Sequence, residues 1–489
     1  MGVPAMFKRF LALSLFVAAP VQAATFTTGV AGGGQAFSNY QPSLVMNYQI
    51  VSQGVYPCRG CGYGAGATMG MIRSFGFGFG PDAANGQLRS IAQNTALFSI
   101  LGTTYGGNGQ TTFALPDLRG RTPIGAGNAP GLGDYQLGGV YGQANVTLTE
   151  AQMPAHAHSL TGGGATTVTG GGQAFDNMQP SLGLNYLIQA EGVFPSRNGA
   201  ELDPNGADID PAFVGGTSYI GQVALFSGNF EPGWMIADGR LLQISEYTAL
   251  FSIIGTTYGG DGQTTFALPD LRGRTIVGAG QGAGLAAVQL GEQLGSPNAT
   301  LTPNQMPAHD HDLVGGGSTD PAGGNQPFDQ HQAGLGLNYI VALQGVFPPR
   351  DIAFDSGETY LGEILTFAGD YAPRGFAFAH GQLLSIAQNQ ALFALFGTTY
   401  GGDGRVTFAL PDLRGRVMLG QGDGFNMGDR LGESTATLTE ANLPGHTHDY
   451  NVINPGVPEP ATWALLLTGF GAIGGAMRRR RPATLRYAA

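Results

Sequence analysis

The chain is poor in cysteine: 489 residues contain only Cys58 and Cys61, spaced C-R-G-C. No second C-x-x-C exists to complete a zinc site, and no strand–helix–strand pattern surrounds the pair. A local disulfide, a redox pair and free thiols are the available readings; the disulfide suits an exported chain best. Charge is scarce too, at 11% of residues, with 22 Lys and Arg against 33 Asp and Glu. No basic stripe exists outside the last residues, which argues against a nucleic-acid partner. Also missing are a nucleophile–base arrangement, paired carboxylates at a useful spacing, and the lysine that would turn Gly-Thr-Thr-Tyr-Gly-Gly into a phosphate loop. The chain is therefore expected to be non-catalytic.

Glycine is abundant, at 83 residues, with 29 prolines. That load argues against long helices and for turns, short strands and extended loops. A hydrophobic content of 42% is too high for a disordered chain. The length suits about three domains.

One segment occurs three times. It reads ALFSILGTTYGGNGQTTFALPDLRGR from Ala96, ALFSIIGTTYGGDGQTTFALPDLRGR from Ala249 and ALFALFGTTYGGDGRVTFALPDLRGR from Ala391. The opening predicts a helix of one or two turns, capped by Ser90, Ser245 and Ser385. Gly102, Gly255 and Gly397 should stop it. Gly-Gly-Asn/Asp-Gly is turn chemistry. Thr-Thr-Phe-Ala-Leu is β-prone and ends at Pro116, Pro269 and Pro411. Asp117, Asp270 and Asp412 then stand two residues before Arg119, Arg272 and Arg414, either as local clamps or as solvated loop charges.

A second motif precedes each copy, from Gly32, Gly170 and Gly323. Its core, L-x-x-N-Y-x-[IV], suits a strand packed on one face. Copy one is degenerate around 69–81, so its first hairpin is doubtful or acts as a terminal cap. The Gly/Asp/Pro-rich stretches 162–164, 200–216 and 315–324 read as linkers. Glu201, Asp203, Asp208 and Asp210 lack a calcium-loop pattern and read as solvated acids.

Lys8 and Arg9, an apolar run and Val21-Gln22-Ala23 form a signal-peptide pattern with cleavage after Ala23. At the other end, Val457-Pro458-Glu459-Pro460 precedes an apolar stretch over 461–477 and four arginines, Arg478 to Arg481. The stretch is at the lower limit for crossing a bilayer, and the arginines would stay cytoplasmic.

These residues carry two resemblances. The repeated GTTYGG[ND]G…TFALPDLRGR core is preceded in copies two and three by G-[EQ]-[IV]-x-x-F-x-G-[ND]-[FY]-x-P and followed in all three by L-T-x-x-x-[ML]-P-x-H-x-H. It resembles the phage tail collar domain, close to the bacterial proteins called microcystin-dependent. That implies a mainly β, loop-rich attachment or structural module with short helices (α+β) and no known catalytic activity. The Pro-Glu-Pro end resembles the PEP-CTERM sorting signal, which implies an exosortase partner and a Gram-negative cell surface or extracellular matrix; a permanent membrane anchor is the plainer reading.

The expected organisation is a signal peptide (1–23), three strand-plus-collar modules (24–160, 161–313 and 314–450), and the sorting signal (451–489). A strand motif comes first and a collar last, so the strand from Gly32 could complete the third collar and close a pseudo-threefold arrangement. Three independent beads are the alternative.

Six of the eight histidines fall in H-x-H pairs: His156/His158, His309/His311 and His446/His448. In extended backbone, residues i and i+2 face the same way, so each pair offers two imidazoles. Imidazole suits iron, nickel, zinc and copper. Trimeric fibres resembling this family bind metal through H-x-H from each chain, which implies a six-histidine iron or zinc site here, within one chain or across a homotrimer. Otherwise the pairs bond local backbone. His331 and His380 read as structural. The expected role is attachment, through surface glycan or extracellular polymer. Competing readings are a metal-dependent enzyme acting on surface polysaccharide and a domesticated phage-tail-like particle component.

Overall fold

The computed structural model describes residues 24–57, 67–161, 163–196, 218–228, 234–350 and 357–452, together with 468 and 470. The signal-peptide pattern, Cys58 and Cys61, the acidic stretch 200–210, Val457 to Pro460 and nearly all of 461–477 lie outside these residues. Among the described residues no helix is long and apolar enough to cross a membrane.

The chain is mainly β with short helices, and the three repeats share one local structure. Each has a seven-residue helix: α1 (Thr95–Leu101), α2 (Thr248–Ile254) and α3 (Gln390–Phe396). Each helix stops at its glycine, Gly102, Gly255 or Gly397, with φ of 56°, 52° and 53°. The serines are not the caps. Asn94, Tyr247 and Asn389 hold those positions, without a side-chain cap bond. Ser90 and Ser385 instead end short strands and offer their carbonyls to the side chains of Asn94 and Asn389, at 2.9 and 3.0 Å. Packing of Leu97, Ile100, Leu101 and their counterparts, rather than capping, holds helices this short.

After each helix the turn is organised by one side chain. The Oδ1 of Asn108, Asp261 or Asp403 accepts three consecutive backbone N–H groups at 2.7–3.0 Å. The Thr-Phe-Ala strands follow: Thr112–Ala114, Thr265–Ala267 and Thr407–Ala409. The Asp–Arg clamps form, with Arg Nε to Asp Oδ1 at 2.9, 2.9 and 2.8 Å in Arg119–Asp117, Arg272–Asp270 and Arg414–Asp412.

The asparagine–tyrosine motif forms the long strands Ser43–Ile50, Ser181–Ile188 and Gly334–Ala342. Each joins two repeats. Ser181–Ile188 runs parallel to Thr122–Gly125 of the first collar and antiparallel to Gln222–Phe226 of the second. Gly334–Ala342 likewise joins Thr275–Gly278 to Glu363–Phe367. Ser43–Ile50 takes Val417–Gly420 of the third collar and Met71–Phe75 of the first, so the set closes on itself. Ala24–Thr27 pairs antiparallel with Asp449–Val452, bringing the two ends of the folded body together. The three first strands also pair with one another, through Gln222↔Phe367, Leu225↔Ile72 and Glu363↔Phe75, as a triangle about the pseudo-threefold axis.

Two sequence expectations change here. The long strands are buried along nearly their whole length rather than on one face, because each is wedged between two repeats. The first hairpin of copy one does form: Met71–Phe75 is a regular strand, although its return is reduced to the single bridge Gln49↔Ala83.

The repeats meet closely at three glycines. Arg119, Arg272 and Arg414 bridge to Gly420, Gly125 and Gly278 of another repeat. A Cβ on Gly125, Gly278 or Gly420 would stand 1.8–2.0 Å from the carbonyl oxygen of Leu271, Leu413 or Leu118. One apolar core runs through all three repeats. Tyr48, Tyr186 and Tyr339 sit in it, and their hydroxyls donate to the carbonyls of Met418, Pro123 and Ile276 at 3.4, 3.1 and 3.0 Å. Burial raises all three phenol pKa values well above the ordinary one.

Candidate metal centre

The H-x-H pairs are delivered by one local device in triplicate. A short 3-10 turn closed by a capping box (Thr149/Gln152, Thr302/Gln305, Thr439/Asn442) leads into Met153, Met306 or Leu443. These three apolar residues pack on one another. Proline follows, the backbone is extended, and both histidines of each pair turn inward.

The first histidines are pinned by single bridges, His156↔Thr169, His309↔Ala322 and Ala31↔His446. The second are pinned by threonine: the N–H groups of His158, His311 and His448 donate to Oγ1 of Thr166, Thr319 and Thr28 at 3.0, 3.1 and 2.9 Å. Those threonines hold equivalent places in the segments that open each repeat. Aligning the repeats could have found them; nothing nearer in the sequence to the histidines points to them.

All six imidazoles are buried, at 1–7% exposure. They form two triangles. Ring centroids of His156, His309 and His446 lie 5.0–5.1 Å apart, and those of His158, His311 and His448 lie 4.7–4.9 Å apart. Every Nδ1 is 2.8–3.0 Å from a backbone carbonyl: Pro154, Pro307 and Pro444 for the first three, Asp320, Gly29 and Thr167 for the second three. A carbonyl only accepts, so each Nδ1 carries the proton and each Nε2 keeps its lone pair.

Those lone pairs converge. The Nε2 of His309 is 3.2 Å from that of His156 and 3.1 Å from that of His446. The Nε2 atoms of His158, His311 and His448 are buried and have no hydrogen-bond partner. The ligand atoms of His156, His158, His309 and His446 all lie within 4.8 Å of one another, and so do those of His158, His311, His446 and His448. Burial, reinforced by neighbouring imidazoles, lowers the pKa of His156 and His158 to about 4 and of His446 to about 3. His309 and His448 are lowered for the same reason.

Neutral lone pairs facing one another at this distance repel unless a cation sits between them. Adjacent ligands of a regular octahedron stand √2 times the metal–ligand length apart. Spacings of 3.1–3.2 Å therefore match a metal–nitrogen length of about 2.2 Å, close to the ~2.0–2.1 Å of zinc–imidazole bonds. The donor set fits a six-coordinate first-row metal. The local-backbone alternative and the inward-facing one are both realised, by different nitrogens of the same rings.

The other two histidines lie elsewhere. His331 pairs with Asp329 at 2.6 Å, and His380 stacks on Phe378 with ring centroids 4.9 Å apart.

A family model described as the Phage Tail Collar Domain matches residues 70–123, 221–276 and 362–418. A second, the PEP-CTERM protein-sorting motif, matches 456–481 and spans Val457 to Pro460. No curated protein and no solved structure matches the chain. The matched segments are the ones whose strands interlock here, and one histidine pair of the cage follows each of them: the chain carries three phage tail collar domains and, near its C-terminus, a PEP-CTERM sorting motif.

Proposed function

We propose that this is a non-catalytic attachment protein of a Gram-negative cell surface or matrix, sorted there by an exosortase and stapled by one metal ion per chain. The three collar domains and the sorting motif fit a secreted, surface-sorted structural protein. One observation carries the metal reading: a single chain supplies six converging Nε2 atoms, each set by an Nδ1–H bond to backbone. His156, His158, His309, His311, His446 and His448 would be the ligands. Six nitrogens leave no open position for water, so the metal would cross-link rather than catalyse. Zinc prefers four ligands, which favours iron(II) or another six-coordinate ion.

The staple joins segments far apart in sequence. It ties the strand pair Ala24–Thr27 and Asp449–Val452, beside the exit toward the sorting signal, to the middle of the chain. Surface glycan or extracellular polymer is the proposed attachment ligand. The internal pseudo-threefold arrangement would replace a homotrimer. Metal analysis with light scattering tests both points: one metal on a monomer is expected. Three per trimer would point to sites shared between chains, and none would end the metal reading.

A further inference from the structure

From Ala31, beside His446, to Ile50, opposite Ile72, the three opening segments present equivalent residues in layers. Phe37, Phe175 and Phe328 form one such layer, with ring centroids 5.7–5.9 Å apart. A few residues further on comes a polar layer, Gln41, Gln179 and Gln332, each 1% exposed and lying in the interior. The three carboxamides form a closed ring. The Gln41 N–H donates to Gln179 Oε1 at 3.1 Å, the Gln179 N–H to Gln332 Oε1 at 3.1 Å, and the Gln332 N–H to Gln41 Oε1 at 3.2 Å. Ser43 and Ser181 hydroxyls approach two of the same oxygens at 3.4 Å.

These bonds settle the orientation of each carboxamide, because a backbone N–H needs the oxygen end. The Nε2 ends are therefore left over. Those of Gln41 and Gln179 are buried without a partner, and that of Gln332 has only the Ser181 hydroxyl at 3.4 Å. An unmet buried amide donor keeps its full desolvation penalty, and repeating the arrangement in three repeats repeats that penalty. A guest that only accepts would relieve the two unmet donors and replace the long bond of the third.

We infer that the Gln41–Gln179–Gln332 ring binds a small monovalent anion of the halide class on the pseudo-threefold axis. Water is the competing guest, since Oδ1 of Asn39 and of Asn177, two residues earlier, also lack partners. A single water accepts two hydrogen bonds, whereas a halide accepts three or more, as many as this layer has glutamine side chains. The site is independent of the histidine cage.

The full chain, crystallised with sodium bromide replacing chloride, should show an anomalous bromine peak on the axis within reach of all three Nε2 atoms. In solution, its melting temperature at constant ionic strength should rise by several degrees and saturate when gluconate is replaced by chloride or bromide. Gln179→Glu keeps the acceptor oxygen, removes the amide and adds a negative charge, so it should abolish that rise. An axial water without anomalous signal, carboxamides paired among themselves, or a halide response that fails to saturate would overturn the assignment. The bromide measurement on the unmodified chain stands even if the variant does not fold.

Discussion

Replacing Glu363 tests whether the order of the repeats is set by charge. Its carboxylate accepts from Arg73 Nε at 2.7 Å and from Nη2, while Arg73 also donates to the Glu358 carbonyl at 2.8 Å. The guanidinium lies 4.7 Å from the Tyr360 ring centre. The side chains are only 12% and 4% exposed. This pair joins the first strand of collar one to that of collar three. On the other two sides of the triangle the residues equivalent to Glu363 and Arg73 are Met71 with Ala224 and Gln222 with Leu365, which carry no charge. The protein thus contains its own apolar controls. Arg73→Leu should cost about 3–5 kcal/mol, because it strands a buried carboxylate, and Glu363→Gln should cost nearly as much. The double variant R73L/E363Q copies the Gln222/Leu365 side and should return to within about 1 kcal/mol of the parent. Urea unfolding at constant m-value measures all three. A Glu363→Gln cost below ~1 kcal/mol, or a double variant no better than the sum of the singles, would refute the argument.

Other predictions are shorter. Gly125→Ala should destabilise by about 1–3 kcal/mol or more, since its Cβ would meet the Leu271 carbonyl; Gly133→Ala, whose φ is not positive and whose Cβ would meet nothing closer than the Tyr135 ring at 3.5 Å, should be much milder in the same unfolding assay. Nitrogen-15 NMR of the metal-free chain should find Nδ1–H tautomers at all six cage histidines; Nε2–H signals would contradict the assigned hydrogen bonds. His309→Gln should release the bound metal to a mild chelator and lower the melting temperature toward that of the stripped protein. Three backbone N–H bonds hold the Asp403 carboxyl down to about 2. Its folded pKa is below its unfolded one, so its contribution is present above the ordinary carboxylate range and is lost as pH falls toward 2. Asp403→Asn should erase that dependence while keeping the turn, because Asn108 does the same work in copy one; carboxyl NMR titration and acid unfolding check it.

Local structure was legible wherever the cause is local. Glycine after an apolar heptad stops a helix by adopting positive φ, and Gly102 does so. Aspartate two residues before arginine reaches the guanidinium within one turn, and Asp117 does so. The serine caps failed because Ser90 and Ser385 are claimed by strand ends, a competition that no short window reveals. The long strands looked one-sided because alternation reports the neighbours of one repeat, whereas Ser43–Ile50 is covered by two.

The sequence by itself determined that the chain repeats one collar-and-strand unit three times, where its turns and short strands fall, and that six of its histidines come in H-x-H pairs. Only the tertiary structure decided that the strand from Ser43 completes the third collar, that the six Nε2 atoms meet, and that three glutamines close a ring. The physical reason is distance along the chain. Each of these contacts joins residues more than a hundred positions apart, and the sequence-equivalent partners in the other repeats are chemically almost the same. Only packing about the axis selects which of them meet.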